Sequence, residues 1–275
     1  MQRLSTAWAV CVLAALLWGP AQAQQPAAPQ SPAPFQPEVG QPGKDVVWVP
    51  TPPELVEKMM DMAAVTPADY VIDLGSGDGR NVIAAAKRGA RSLGVEFNPD
   101  MVALSERLAR AAGVADRATF VQGDMYAADI SKATVMALFL LPVNMLQLRP
   151  KFFALAPGSR SVSNTFRIEG WQPDRTETVG GDCTAWCEAL LWVVPAKVDG
   201  RWQGPGTELT LKQDFQKVTG SLSAGGRTVD VTGTLRGRDI VLTGDGKTFT
   251  GRALDTSLEL TVPGAAPLRL ARPGA

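Results

Sequence analysis

Tyr70-Val71-Ile72-Asp73-Leu74-Gly75-Ser76-Gly77-Asp78-Gly79-Arg80 is the stretch whose reading decides the fold. Tyr70 to Leu74 is a short, largely apolar run of the kind that forms a strand buried on both faces. Three glycines at alternate positions follow, and Val82 to Arg88 then reads as a helix. Glycines between a strand and a helix let the backbone turn tightly and approach a ligand closely. The helix behind them offers free N–H groups and a partly positive end. The same unit recurs downstream. Leu93 to Glu96 reads as a second strand, Pro99 to Ala112 as a helix stopped by Gly113, and Thr119 to Gln122 as a third strand ending in Gly123-Asp124. Thr134 to Leu141 reads as a fourth strand, Asn144 to Leu155 as a helix, Ser161 to Phe166 as a fifth strand and Leu190 to Val194 as a further one. Regular alternation of strand and helix predicts an α/β fold with right-handed crossovers and a mostly parallel sheet. Ahead of the glycines, Thr51-Pro52-Pro53-Glu54 has the form of a capping box opening a helix with an apolar stripe at Leu55, Met59 and Met62.

In a parallel sheet, ligands bind beyond the carboxyl ends of the strands. The spacing here is G-x-G-x-G with Asp78 inside it. It is not the G-x-G-x-x-G of dinucleotide sites, nor is it followed by the Lys-Ser/Thr pair of a phosphate-cradling loop. An acid in the loop suits a cationic ligand better than a pyrophosphate. Glu96, at the end of the second strand, is placed to accept two ribose hydroxyls. Asp124, at the end of the third, is placed to accept from an exocyclic adenine amine. Together these groups describe a ligand with a ribose, an adenine and a positive centre, and no phosphates.

V-I-D-L-G-S-G-D-G-R (71–80), G-V-E-F-N-P-D (94–100) and Q-G-D-M (122–125) resemble the class I S-adenosylmethionine-dependent methyltransferases. W-V-P-T-P-P-E-L-V-E-K-M (48–59), just ahead of the glycine loop, resembles the Dot1-like protein-lysine methyltransferases, including the small mitochondrial ones. The resemblance spans Val46 to Lys197. It implies a Rossmann-like sheet of seven strands with the last antiparallel, and S-adenosyl-L-methionine as cofactor. By the same resemblance Gly75, Gly77 and Gly79 surround the methionine part, Glu96 takes the ribose and Asp124 lies near the adenine. Asp73 and Asp78 support the loop and the amino group, while Thr51 and Pro52 cover the cofactor. The methyl acceptor is expected beyond the fourth strand, facing Leu141, Pro142 and Asn144. No N-P-P-Y/F motif stands there, and no residue is assigned as catalytic. Asn144 and Asn164 are candidates for orienting a substrate, though Asn is also an ordinary turn residue. The reaction expected is methyl transfer to a protein lysine or another amine-bearing acceptor. The alternative is an exported nucleoside-binding protein that keeps the fold without catalysis.

Composition narrows the remaining choices. The chain has 27 Lys+Arg and 27 Asp+Glu, so it lacks the basic excess of a nucleic-acid partner. It has no histidine, which excludes Ser-His-Asp or Cys-His catalysis and imidazole-bound metal, and no metal site is expected. Arg3, the apolar run Ala7 to Trp18 and Ala21-Gln22-Ala23 have the layout of a signal peptide over residues 1–23. The apolar run is too short for a stable membrane span. Export to the periplasm or beyond is therefore expected, although the expected cofactor is made inside the cell. Residues 24–45, rich in Pro, Gln and Ala, read as a spacer, and 46–198 as the methyltransferase domain. Cys183 and Cys187 in an exported chain point to a disulfide. A fully extended segment would hold their α-carbons about 13 Å apart, so a bridge requires a turn between them. Residues 199–275 change to period-2 alternation punctuated by Gly225-Gly226, Gly237 and Gly244-Asp245-Gly246. This predicts a small antiparallel β domain of six or seven strands that either binds substrate or covers an edge of the first sheet.

Overall fold

The computed structural model describes residues 35–181 and 183–274. The signal-peptide reading and the first part of the spacer lie outside the described residues. The first domain is built on β1 (Tyr70–Leu74), β2 (Arg91–Glu96), β3 (Ala118–Gln122), β4 (Val135–Leu138), β5 (Arg160–Asn164), β6 (Arg175–Thr178) and β7 (Glu188–Val193). The order across the sheet is β3-β2-β1-β4-β5-β7-β6. β7 runs antiparallel to both of its neighbours, β5 and β6. Helices α1 (Pro53–Met62), α2 (Arg80–Lys87), α3 (Pro99–Ala111) and α4 (Pro142–Phe153) cover the two faces.

Alternation along β1 sorts its side chains between two cores. Ile72 and Leu74 join Met136, Leu138, Leu148 and Phe152 under α4. Val71 points the other way, into a core with Leu55 and Met59 of α1 and Ala84 and Ala85 of α2. Asp73 shares the Val71 face, which sends a carboxylate beneath α2. Strand order reverses between β1 and β4, and this switch point opens at the carboxyl ends of the strands.

The capping box expected at Thr51 does not form. Pro52 is the N-cap of α1 and makes no side-chain cap. The Thr51 hydroxyl, buried, instead accepts from Asn164 Nδ2 at 3.3 Å. The fourth strand stops at Leu138, because Leu141 stands before Pro142 in an extended conformation and becomes the N-cap of α4. β6 (R-T-E-T) is exposed and polar, with no apolar alternation from which to read a strand. Residues 35–45, read as spacer, fold back on the domain: Arg107 Nη2 donates to Phe35 O, and Lys44 Nζ reaches Asp124.

The second domain has eight strands, where the alternation predicts six or seven: β8 (Gly200–Gly204), β9 (Thr207–Asp214), β10 (Lys217–Ala224), β11 (Arg227–Arg236), β12 (Asp239–Gly244), β13 (Lys247–Ala253), β14 (Ser257–Thr261) and β15 (Leu268–Ala271). Each pairs antiparallel with the next, and β8 also pairs with β15, so the meander closes into a barrel. Closure removes the open edges. Trp202, Leu211, Val231, Leu242 and Leu260 help fill the interior. Gly220, Gly233 and Gly251 sit where a Cβ would fall within about 2 Å of the neighbouring strand's carbonyl, at 1.9, 2.0 and 1.8 Å respectively.

The barrel does not cover an edge of the first sheet. It docks at the amino ends of the strands. Phe215, in the β9–β10 turn, stacks on Trp171 at 5.4 Å and meets Phe153 at the end of α4 at 5.1 Å. Ala196 N donates to Gly237 O at 2.7 Å. Among the described residues, no helix is long and apolar enough to cross a membrane.

Gly79 couples the fold to the site. Its φ is +80°, and a Cβ there would lie 2.6 Å from the Phe120 ring. Gly113 has φ +70° but open space around it. Gly113→Ala should cost only the left-handed penalty of about 1–2 kcal/mol. Gly79→Ala should cost that plus overpacking of about 1–3 kcal/mol. Urea unfolding of the two variants checks this, and equal losses would remove the packing argument.

Candidate active site

A pocket opens at the switch point between the glycine loop, the ends of β2 and β3, and the segment Gln41–Thr51. No residue of the barrel lines it. Gly75, Gly77 and Gly79 all have positive φ, at 70°, 56° and 80°. The loop's shape is held by Glu96: Oε2 accepts from Gly77 N at 3.0 Å, and Oε1 accepts from Asn98 N at 2.9 Å. Ser105 Oγ donates to Gly77 O at 2.9 Å from α3. A Cβ on Gly77 would stand 2.7 Å from Trp48 Nε1, so bare backbone and indole touch and together form one wall.

Asp73 is buried and accepts from Asn81 Nδ2 at 3.0 Å. Asp78 accepts from Arg80 Nε at 2.9 Å, and Arg80 Nη1 also donates to Thr51 O. Asp78 therefore supports the loop through Arg80, which ties it to the amino-terminal segment. Asp124 Oδ1 accepts from Tyr126 N at 2.7 Å, and Oδ2 takes the Lys44 ammonium at 2.5 Å. Lys44 Nζ also stands 5.0 Å from the centre of the Phe97 ring. An adenine amine approaching Asp124 would take the place of Lys44. Thr51 lines the pocket, whereas Pro52 begins α1 outside the lining.

Of the three residues expected to face the acceptor, Leu141 and Pro142 are exposed at the start of α4. Asn144 is buried, donating from Nδ2 to the Tyr126 hydroxyl at 2.7 Å. Asn164 holds Thr51 and accepts from Thr165 Oγ1. Sequence reading passes over Lys44, Trp48, Asn81, Phe97 and Phe139, all of which line the pocket. Phe97 stands inside the quoted motif at 94–100, Trp48 opens the one at 48–59, and Asn81 directly follows the one at 71–80. Nothing local marks Lys44 as a pocket residue, because chain folding alone brings it there. Cys183 and Cys187 are bonded, with α-carbons 5.9 Å apart across a turn.

The residues present fit an adenine nucleoside with a cationic centre. Asp45, Asp73, Asp78, Glu96 and Asp124 line the pocket against two cations, Lys44 and Arg80, which leaves it acidic. Ser76 and Asn81 also line the pocket, and Ser76 Oγ and Asn81 Oδ1 are buried without a partner among the described residues. Burial pushes the Asp73 carboxyl well above the usual carboxylate range, the Asn81 amide opposes this, and the charges of Glu96 and Asp78 add to it. The hydrogen bond from Lys44 holds Asp124 below that range.

A raised carboxyl pKa means that Asp73 holds its proton to higher pH in the folded, unliganded chain than in the unfolded one. Its contribution to stability is present at low pH and is lost as pH rises through that pKa. A bound cation favours the ionised form. Affinity for S-adenosylmethionine should therefore rise as pH rises through the Asp73 titration, with proton release on binding. Calorimetry in buffers of different ionisation enthalpy should show this for the native chain and a flat response for Asp73→Asn.

The description "ANTKMT methyltransferase domain" belongs to the family model that matches residues 73–175. A protein-lysine N-methyltransferase of Saccharolobus islandicus is 42% identical over 131 residues, covering 46% of this chain and 81% of that protein. The adenine nucleotide translocase lysine N-methyltransferase of Mus musculus is 35% identical over 120 residues, covering 43% of this chain and 52% of that protein. The chain thus spans most of the archaeal relative and about half of the mouse one. Among solved structures, an RNA methyltransferase from Salinibacter ruber in complex with S-adenosyl-L-homocysteine matches with a TM-score of 0.50 and 45% identity. That match covers 55% of this chain and 96% of the other. The pocket's acids and bare glycine turn agree with the S-adenosyl-L-homocysteine bound in the Salinibacter structure, so the cofactor is S-adenosylmethionine; by the archaeal relative, matched over most of its length, the chain belongs to the protein-lysine N-methyltransferase family.

Proposed function

We propose that this chain methylates the ε-amine of a lysine in a protein outside the cytoplasm, in the periplasm or beyond. The observation that carries the reading is the acidic, glycine-walled pocket at the switch point. Phe139, directly after β4, lines one side of it, and the acceptor enters from that side. S-Adenosylmethionine supplies a methyl carbon activated by the adjoining sulfonium. The chain's residues do the rest by binding and positioning. Glu96 presents carboxylate oxygens to ribose hydroxyls, and Asp124 presents one to the adenine. Asp73, beneath α2, offers a negative charge to the amino group. Trp48 packs on Gly77 and keeps water from the loop.

The acceptor amine must be neutral to attack. Beyond β4 the surface is apolar, with Phe139 lining the pocket and Leu141 exposed next to the start of α4. Desolvation there lowers a lysine's pKa, so a dedicated base is not required. Support for a lysine acceptor comes from the archaeal relative, most of whose length is matched. The balanced charge of 27 against 27 also favours protein over RNA. Export is supported by Arg3, the apolar run and Ala21-Gln22-Ala23, and by a disulfide of the kind kept in oxidising compartments.

Incubating the purified chain with tritiated S-adenosylmethionine and a periplasmic extract tests the reading. Label should enter protease-sensitive, RNase-resistant material and appear as methyllysine after hydrolysis. Label in RNA would overturn the acceptor. Glu96→Ala should weaken cofactor binding about ten- to a hundredfold, the scale of a lost charged hydrogen bond. A phosphatase reporter fused after Ala23 should be active only if the leader exports it, and an inactive fusion would overturn the location.

A further inference from the structure

Three aromatic rings gather at the ends of β4 and β5, beside the pocket but outside the groups that hold the cofactor. Phe139 directly follows β4 and lines the pocket. Phe166 follows β5 by two residues. Trp186 comes from the loop before β7. The ring centres lie 5.9 Å apart for Phe139–Phe166, 5.8 Å for Phe139–Trp186 and 5.3 Å for Phe166–Trp186. These are contact distances for aromatic pairs. The cluster is not core, since Trp186 is 41% exposed.

Trp186 is also held in an unusual way. Its φ is +59°, a left-handed conformation that a bulky residue rarely adopts unaided. It sits inside the five-residue loop closed by the Cys183–Cys187 disulfide. The covalent closure confines this turn and so directs the indole onto Phe139 and Phe166. The nearby Glu188 carboxylate is already taken by Arg167 at 3.0 Å. What the cluster offers an incoming group is therefore π surface. Aromatic faces attract alkylammonium ions, and tryptophan does so most strongly. They also accept the methylene stem of a lysine.

We propose that Trp186, with Phe166 and Phe139, forms the docking seat that the acceptor's alkylammonium arm occupies before its amine loses a proton at the pocket, and that the Cys183–Cys187 bond is what holds Trp186 in it. The proposal rests on the lysine reading for the identity of the arm. The π surface itself recognises any alkylammonium, and methylated products, which keep their charge, most of all.

The test uses the full chain loaded with S-adenosylhomocysteine. The probes are Nα-acetyl-trimethyllysine methylamide and its neutral tert-butyl isostere, titrated by calorimetry. The native chain should bind the cation and discriminate against the isostere. Trp186→Ala should weaken the cation about five- to thirtyfold, and Trp186→Phe should recover most of the loss. The Cys183→Ser/Cys187→Ser pair should behave as Trp186→Ala does. Treatment with dithiothreitol should match it, because the reagent transfers two electrons and two protons to the disulfide, leaving two thiols and the cyclic oxidised reagent. Affinity for S-adenosylhomocysteine should stay within twofold throughout. Equal binding of cation and isostere, an unaffected Trp186→Ala, or a parallel loss of S-adenosylhomocysteine binding would each overturn the proposal. Cation binding that persists in a chain unable to methylate protein lysine would defeat the lysine reading and leave the aromatic seat standing.

Discussion

The hydrogen bond from Gly77 N to Glu96 Oε2 is the constraint around which the site is organised. It joins the turn after β1 to the end of β2 and holds the loop in a path with positive φ at Gly75, Gly77 and Gly79. That path is available only without side chains. A Cβ at Gly77 would enter Trp48, and one at Gly79 would enter Phe120. Close packing from both sides thus explains why these positions are glycine. Contacts on both sides of the loop preorganise it, which is what positional catalysis requires.

Each end of the sheet has its own task. At the carboxyl ends lie the glycine loop, the pocket's acids and the Gln41–Thr51 segment. At the amino ends the barrel docks through Phe215, Trp171 and Phe153. The barrel is a closed, packed body with no part in lining the pocket. The amino-terminal segment has the opposite role. It lacks regular secondary structure, yet it contributes the indole against the loop and, through Lys44, an ammonium on Asp124. Arg80 ties the two together, bonding Asp78 in the loop and the carbonyl of Thr51 in the segment. The Asp124 carboxylate is in turn held by Lys44 of the same segment.

The parallel sheet is legible because its inner strands are largely apolar and its crossover helices have clear ends, such as Asn98-Pro99 and Gly113. The acids Asp73, Glu96 and Asp124 are legible because they follow strand positions at fixed offsets. β6 is not, because an exposed edge strand has no apolar face to leave a pattern. The Thr51 capping box misleads: its four-residue signature is local, whereas the bond that wins is made to Asn164, far away in the chain. Barrel closure escapes a sequence reading for a related reason. Strand alternation reports which residues face inward, but the pairing of β8 with β15 joins the two ends of the meander and leaves no local mark.

Local physics in the chain itself determined the strand–glycine–helix unit, the carboxylates at strand ends and the change to antiparallel β structure after residue 199. These depend on periodicity and on conformational freedom, both of which act over a few residues. Tertiary structure alone decided that Trp48 covers the loop, that Lys44 meets Asp124, and that Trp186 joins Phe139 and Phe166. Each of these contacts joins residues well separated in the chain, and its position is set by the packing of the whole sheet.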